Sequence, residues 1–118
     1  MKTPYLEIKY DEEKVKANPN ESLYVLIGTI RKYAEKKDML FELAEDNTMC
    51  VSIKRDSDYG YIGGLAITLL VCDWFTDYAS VLFYHDGDPR EDEDMLLNYR
   101  NGNYDKYLDS IKKGVKHG

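Results

Sequence analysis

The sequence predicts one α+β domain in two layers, a mainly antiparallel sheet of about five strands with two to three helices on one face. Three observations predict this fold. The chain has 118 residues, close to the usual size of a single domain. Short runs that alternate apolar and polar residues, typical of half-buried strands, occur between segments of helical spacing. No repeat, low-complexity tract or linker divides residues 1–118, so the element order β-α-β-β-β-β-α-α should enclose one core.

The first predicted elements are a strand and a helix. Residues 6–10 alternate apolar and charged side chains, which is the period of a strand with one buried face. Asn18, Pro19 and Glu21 then supply a cap, a proline suited to the first helical position and a glutamate that reaches back to the cap. Apolar residues at helical spacing over residues 23–34 predict that this helix buries one face.

Four strands are predicted next. Residues 39–43 and 49–53 are short alternating runs on either side of a polar turn, which indicates a β-hairpin. Residues 65–72 and 79–84 are apolar on both faces and rich in β-branched and aromatic side chains, as expected of two central strands. The segment 74–78 between them is interpreted as the turn of a second hairpin.

Two helices complete the predicted order. Asp88, Pro89 and Glu91 repeat the pattern of cap, proline and glutamate, which predicts a helix that begins at Pro89. Gly102 is suited to the positive φ that ends such a helix. Asn103 can cap a last helix of regular apolar spacing.

Composition and cysteine usage predict a cytoplasmic protein. The two cysteines, Cys50 and Cys72, are too few for the disulfide framework of a small secreted domain. The first residues contain no apolar segment of a signal peptide, and the longest strongly apolar stretch, residues 62–72, is too short to span a bilayer. We therefore expect a soluble protein of a reducing compartment, without membrane association.

Charge is distributed unevenly along the chain. The net charge is −6 overall, but it is +1 over residues 1–40, −10 over residues 41–94 and +3 over residues 95–118. Direct binding of nucleic acid is disfavoured, because phosphate contacts need clustered lysine and arginine. A central band of negative charge favours a partner with a basic, Lys/Arg-rich surface instead.

No motif of catalysis, metal binding or nucleotide binding stands out. His85 lies beside Asp86 and Asp88, an arrangement that could support acid–base chemistry, but the same residues form a turn and a helix cap. The predicted second hairpin would place His85 opposite Thr68 and about 13 Å from Cys72, too far for a nucleophile pair. The spacings match neither zinc sites, EF-hands nor P-loops. The sequence thus predicts no catalytic residue, no metal and no cofactor.

The acidic cluster at residues 86–94 is the strongest functional signal. It places six carboxylates in nine residues, with Arg90 as the only basic one, which is more than helix capping requires. We interpret the chain as a non-enzymatic acidic protein-binding module, an inhibitor in the manner of immunity or phage anti-defence proteins. Such a protein would dock on a basic site, for example that of a nucleic-acid-handling protein. The predicted partner-binding residues are Asp86, Asp88, Glu91, Asp92, Glu93, Asp94, Asp73, Asp77, Tyr59 and Tyr61.

Tyr59 and Tyr61 belong to this set because residues 59–64 are glycine-rich and are expected to form a loop. These tyrosines either contact a partner or fold back over the sheet edge, and the sequence leaves both open.

Two other functions stay open at this point. One is a small ligand-binding domain or enzyme that uses His85 as acid or base. The other is a homo-oligomeric structural protein, such as a homodimer, in which an apolar edge strand pairs across a two-fold axis. Residues 6–10 and 49–53 are the edge strands that the sequence suggests for this pairing.

Overall fold

The fold is a five-stranded antiparallel sheet with helices packed on it. The computed structural model describes the backbone of residues 3–117 and the side chains of residues 3–112. The strands are β1 (Tyr5–Tyr10), β2 (Leu40–Leu43), β3 (Met49–Ser52), β4 (Ala79–His85) and β5 (Glu93–Asp94). They lie in the order β2-β3-β1-β4-β5, and every neighbouring pair is antiparallel. The predicted α+β class with a five-stranded antiparallel sheet is confirmed.

Helices occupy the connections between strands and the end of the chain. They are α1 (Glu12–Lys16), α2 (Leu23–Lys36), α3 (Gly60–Leu70), α4 (Asp73–Thr76), α5 (Met95–Arg100) and α6 (Asp105–His117). Short 3-10 helices lie at Asp56–Asp58 and Pro89–Glu91. No helix in the part of the chain that the structure describes is long and apolar enough to cross a membrane.

One face of the sheet forms the core with the helices. Ile8 of β1, Val51 of β3 and Leu82 of β4 are fully buried on this face, and burial of each such side chain contributes roughly 2 kcal/mol to folding. The intervening residues point to the other face, as the period of two requires. Glu7 and Phe83, which are paired across β1 and β4, are half-buried there.

The predicted strand at residues 65–72 is wrong, because most of this segment belongs to α3. The buried positions of α3 follow the helical spacing i, i+3, i+4, i+7 and i+8. They are Ile62, Leu65, Ala66, Leu69 and Leu70. The helix is apolar on nearly every side, and a short apolar run does not reveal its period. The expected loop at residues 59–64 is also wrong, since α3 begins at Gly60. The segment 74–78 is no hairpin turn either: α4 covers most of it, and β4 pairs with β1.

The first long helix begins later than predicted. The cap of α2 is Ser22, whose hydroxyl accepts a hydrogen bond from the backbone N–H of Val25. Asn18 does not cap it. Its side chain accepts from the N–H of Asn20, and the backbone N–H of Glu21 donates to the Asn18 carbonyl. The polar residues therefore stabilise a turn before the helix.

The helix predicted to begin at Pro89 is divided into three pieces. Asp88 does accept from a backbone N–H, but it caps only the 3-10 helix at Pro89–Glu91. The next residues form β5, which pairs with β4. Asp94 then serves as the cap of α5. Pairing with the sheet edge interrupts the continuous helix that local sequence favours.

Of three further predictions about local structure, all but one are confirmed. The hairpin of residues 39–53 is present as β2 and β3, with Asn47 at φ 68° in its turn. Gly102 has φ +80°. The exception is Asn103, whose side chain donates to Asn98 instead of capping α6.

The sheet edges are not the ones expected. Residues 6–10 lie in β1 at the centre of the sheet, and residues 49–53 correspond to β3 between β2 and β1. Both expected edge strands are thus paired on both sides, and the edges are β2 and β5.

Candidate functional site

Two tyrosines converge on one aspartate where β4 ends beside the start of α3. The hydroxyl groups of Tyr59 and Tyr84 both donate to Oδ1 of Asp86, at 2.7 Å and 2.6 Å. The bond from Tyr84, and then that from Tyr59, holds the pKa of Asp86 below its usual value. Burial, followed by the bond to Asp86, raises the pKa of Tyr84. Asp86 is therefore ionised and fixed in position at neutral pH.

Residues 86–94, here called the acidic segment, are organised mainly by uncharged donors. Asp92 accepts a hydrogen bond from the backbone N–H of Asp86 at 2.9 Å. Asp94 accepts from a backbone N–H of α5 at 3.1 Å, and a side-chain amide of α5 donates to Glu93 at 3.2 Å. These bonds orient the carboxylates without neutralising them.

Cationic partners of the acidic segment are few among the described residues. Arg90 lies 2.8 Å from Asp88, and this contact lowers the pKa of Asp88. The Arg90 side chain is 87% exposed, so Asp88 can readily exchange Arg90 for a cation of another protein. The Nδ1 atom of His85 is 4.0 Å from Asp92. Glu91 is exposed, and the segment as a whole keeps most of its negative charge.

A hollow of about 290 Å³ opens beside these carboxylates, between the start of α3 and the start of α5. Its lining is mostly apolar and includes Ile62 and Met95. Tyr59, Tyr84 and Glu93 also line it, which places the two tyrosines between the hollow and Asp86. An apolar cavity with ionised carboxylates at its margin suits a side chain that is apolar along its stem and positive at its end.

The predicted partner-binding residues fall into two groups in space. The acidic segment and Tyr59 lie together at one end of β4. Asp73 and Asp77 lie in and just after α4, at the other end of this seven-residue strand, roughly 20 Å away at the usual strand rise. Tyr61 contacts Lys37, which directly follows α2 and whose Nζ atom is 5.8 Å from the centre of the ring. The structure brings neither Asp73, Asp77 nor Tyr61 to the hollow.

His85 is held between two aromatic rings and a carboxylate on the open face of the sheet. The ring of Tyr5 stacks on it at 4.4 Å, and that of Phe83 lies at 4.6 Å. Its Nε2 atom is 2.8 Å from Oε1 of Glu7. The predicted register with Thr68 is wrong, because His85 lies opposite Tyr5 in the β1–β4 pair.

Both cysteines are free thiols, and burial raises the pKa of each. Cys72 precedes α4, at the opposite end of β4 from His85. Among the described residues no three side chains of histidine, cysteine, aspartate or glutamate are grouped so that they could hold a metal ion.

Sequence reasoning missed Tyr84 and Gly63 as residues of this site. Tyr84 shares a face of β4 with Leu82, so alternation alone predicts a side chain that packs against the helices and does not mark it as a site residue. Its contact with Tyr59 joins residues 25 positions apart and could not be read from local pattern. Gly63 lines the hollow because α3 is a helix, which the strand prediction concealed.

The fold and site together define a small α+β protein with an acidic, tyrosine-bordered hollow at one end of its sheet. Comparison of the chain with protein-family models, curated proteins and solved structures finds no match. The geometry of the site is therefore the basis on which its function is inferred.

Proposed function

We propose that the chain is an acidic protein-binding module and acts as an inhibitor, docking the acidic segment and its hollow on a basic site of a partner protein. The observation that carries this proposal is the apolar hollow beside fixed carboxylates. Lysine and arginine side chains combine a long apolar stem with a charged end. A partner that presents such a side chain can bury the stem in the hollow and leave the charge beside Asp86 and Glu93.

The hydrogen bonds of the acidic segment support this function energetically. Carboxylates that are already oriented lose little conformational freedom when a partner binds, which favours affinity. Because most of their donors are uncharged, the negative field extends from the surface and accelerates encounter with a basic protein. Internal pairing with lysine or arginine would have cancelled that field, and Asp88 is the one member paired in this way among the described contacts.

The tyrosines add a second attraction for cations. Tyr59 is 52% exposed even though its hydroxyl is bonded to Asp86, so part of its ring is available to a partner. A guanidinium or ammonium over a tyrosine ring gains roughly 0.5–1 kcal/mol at an exposed site. The partner we propose is one whose basic site normally receives phosphates, such as a nucleic-acid-handling protein. Immunity and phage anti-defence proteins exemplify this mode of inhibition.

A defined cationic probe tests the site without knowledge of the partner. Titration of ¹⁵N-labelled protein with a tetra-arginine peptide should shift the amide signals of Tyr59, Gly63 and residues 86–94, except Pro89, which has no amide proton. The signals of Asp73 and Asp77 should stay in place, although both of these residues are exposed. Shifts of similar size at all acidic surfaces would mean that the hollow confers no selectivity, and the proposal would fail.

Charge removal provides a matched pair of variants. Glu91→Gln with Asp94→Asn removes two exposed charges of the acidic segment, and asparagine at position 94 preserves the helix cap. Asp73→Asn with Asp77→Asn removes two charges at the other end of β4. The first pair should weaken peptide binding at low salt about tenfold, from roughly 0.7 kcal/mol per exposed charge pair, and the second pair much less. Binding that is insensitive to salt would contradict the electrostatic mechanism.

Filling the hollow separates shape from charge. Gly63→Leu should place a side chain in the hollow, whereas Gly64→Leu on the next position of α3 lines a different cavity, beside α2. A β-carbon at either glycine meets no atom within 4 Å, so both variants should fold. We expect only Gly63→Leu to weaken binding of the peptide, and equal effects of the two would argue against insertion into the hollow.

A second candidate function, a ligand site with His85 as acid or base, is favoured by the contact between His85 and Glu7. The hollow beside His85 measures about 100 Å³, well below the 300–1,000 Å³ of typical ligand pockets. The imidazole also packs closely against the rings of Tyr5 and Phe83. A His85→Asn variant that keeps peptide binding but loses a hydrolytic or isomerase activity in a substrate screen would favour this second function.

A further inference from the structure

Within residues 3–117 no strand pairs with the outer edge of β2, so this edge offers backbone hydrogen bonds to another strand. The backbone N–H of Ala44 donates to the carbonyl of Thr48 at 2.9 Å. In an antiparallel ladder, bonded and non-bonded pairs alternate, so Glu42 bonds to β3 and the backbone groups of Phe41 and Leu43 point outward. Proteins commonly protect such edges with lysine, proline or a bulge, and residues 40–43 contain no lysine or proline and pair with β3 in continuous register.

Exposed apolar side chains surround this edge. Leu40 is 44% and Leu43 41% exposed, and on the neighbouring helix Tyr24 is 84% and Val25 60% exposed. Leu43, Tyr24 and Val25 line one groove of about 550 Å³ between α2 and the β2–β3 hairpin. Edge and groove therefore form one continuous surface, here called the β2 surface.

The β2 surface carries charges of both signs, so it is complementary to a second copy of itself. Arg31, Lys32 and Glu35 of α2 all line the groove, so a second copy related by a two-fold axis would supply both a cation and a carboxylate to each side. Gly28 lies in the same groove, and a β-carbon there would meet no atom within 4 Å. Glycine inside a helix costs about 1 kcal/mol relative to alanine, and its small size permits close approach of a second helix.

We propose that two copies of this chain associate through the β2 surface, so that β2 pairs antiparallel with its symmetry mate and the two sheets become one of ten strands. Side chains directly opposite each other must share a face, which permits a two-fold axis at any residue of β2. An axis near the middle of this four-residue strand, at Phe41 or at Glu42, pairs the most residues. An axis at Glu42 would oppose two carboxylates and is disfavoured. The axis therefore lies at Phe41, which exchanges two backbone hydrogen bonds with its mate.

A second copy fits this surface better than the basic partner of the acidic segment. The groove is lined by two cations and one carboxylate, so a basic partner gains nothing from it. Antiparallel pairing of identical strands is satisfied by any two-fold axis normal to the sheet. The dimer is independent of the proposed inhibitory function, since the acidic segment lies on the opposite side of the sheet order.

Mass measurement and amide exchange test the dimer. Light scattering from low micromolar to submillimolar concentration should show a transition from monomer to dimer. Over the same range the amide protons of Phe41 and Leu43 should become protected from hydrogen exchange. Leu43→Lys should raise the dissociation constant about tenfold or more by replacing a buried apolar contact with a charge. The matched control is Leu97→Lys on α5, where the leucine is 53% exposed.

Each outcome decides the proposal. A strict monomer at submillimolar concentration, or unprotected Phe41 and Leu43 amides in a dimer, would overturn it. The register has its own test in a background in which Cys50 and Cys72 are serine. Phe41→Cys should form an intermolecular disulfide across the axis, whereas Glu42→Cys should form little. Cross-linking by Glu42→Cys alone would show that a different pairing occurs, and would contradict the proposed register.

Discussion

Replacing two adjacent glycines of α3 should stabilise the protein. Gly63 and Gly64 lie inside this helix with exposed backbone. A β-carbon at either position has no atom within 4 Å, so alanine introduces no clash. Glycine loses more backbone entropy than alanine when a helix forms, and the difference is about 0.8–1.0 kcal/mol per residue. The double variant Gly63→Ala with Gly64→Ala should therefore gain about 2 kcal/mol in the free energy of unfolding.

Thermal and urea denaturation followed by circular dichroism measure this gain. For a chain of this length 1 kcal/mol corresponds to a change in Tm of about 4 °C, so the double variant should melt about 8 °C higher. The matched control is Gly102→Ala. Its φ of +80° is unfavourable for alanine, and the new β-carbon would lie 3.1 Å from a carboxylate oxygen of Asp105, so this variant should be destabilised. If the α3 variants melted at or below the wild-type temperature, residues 60–70 would not be an unstrained helix and the assignment would be refuted.

Two further predictions concern the acidic segment. Asp94→Ala should lower the free energy of unfolding by about 1 kcal/mol because α5 loses its cap, while Asp94→Asn should change it little, as urea denaturation can measure. Tyr84→Phe should raise the pKa of the Asp86 carboxyl, measured by ¹³C NMR, because it removes the bond that chiefly lowers that pKa. Since the pKa of Asp86 is lowered in the folded state, its stabilising contribution is present above the ordinary aspartate pKa of about 3.9 and is lost as the pH falls below it. The difference in stability between wild type and Tyr84→Phe should accordingly shrink at acidic pH, and a constant difference would contradict this origin.

The local sequence pattern was sufficient to predict an element where one of its faces is buried and the other is exposed to solvent. The strand at residues 6–10, the second strand of the hairpin at 39–53 and the helix at 23–34 have this character, and all are present. Pattern failed at residues 65–72, where both faces are apolar. The helical period becomes visible only when Ile62 is included, across glycines that resemble a loop.

The candidate site could be predicted only in part for a related reason. The acidic segment is contiguous in sequence, so its charge was evident. Its neighbours depend on pairing between β1 and β4, which places His85 opposite Tyr5 across most of the chain. No local signal encodes that pairing. Asp73 and Asp77 joined the predicted set for their charge, and a whole strand separates them from the acidic segment. Sequence thus supplied the charge, while the hollow and its tyrosines needed the tertiary structure.

The two edge strands of the sheet differ, and this difference limits how many copies of the chain could add to it. At the margin opposite β2, the strand β5 has two residues, and both are acidic. A strand added beside β5 would find few backbone groups for hydrogen bonds. If that strand came from another copy of this chain, it would also face two like charges. The proposed self-association through β2 would consequently end at two molecules, without the endless stacking that a sheet with two receptive margins would permit.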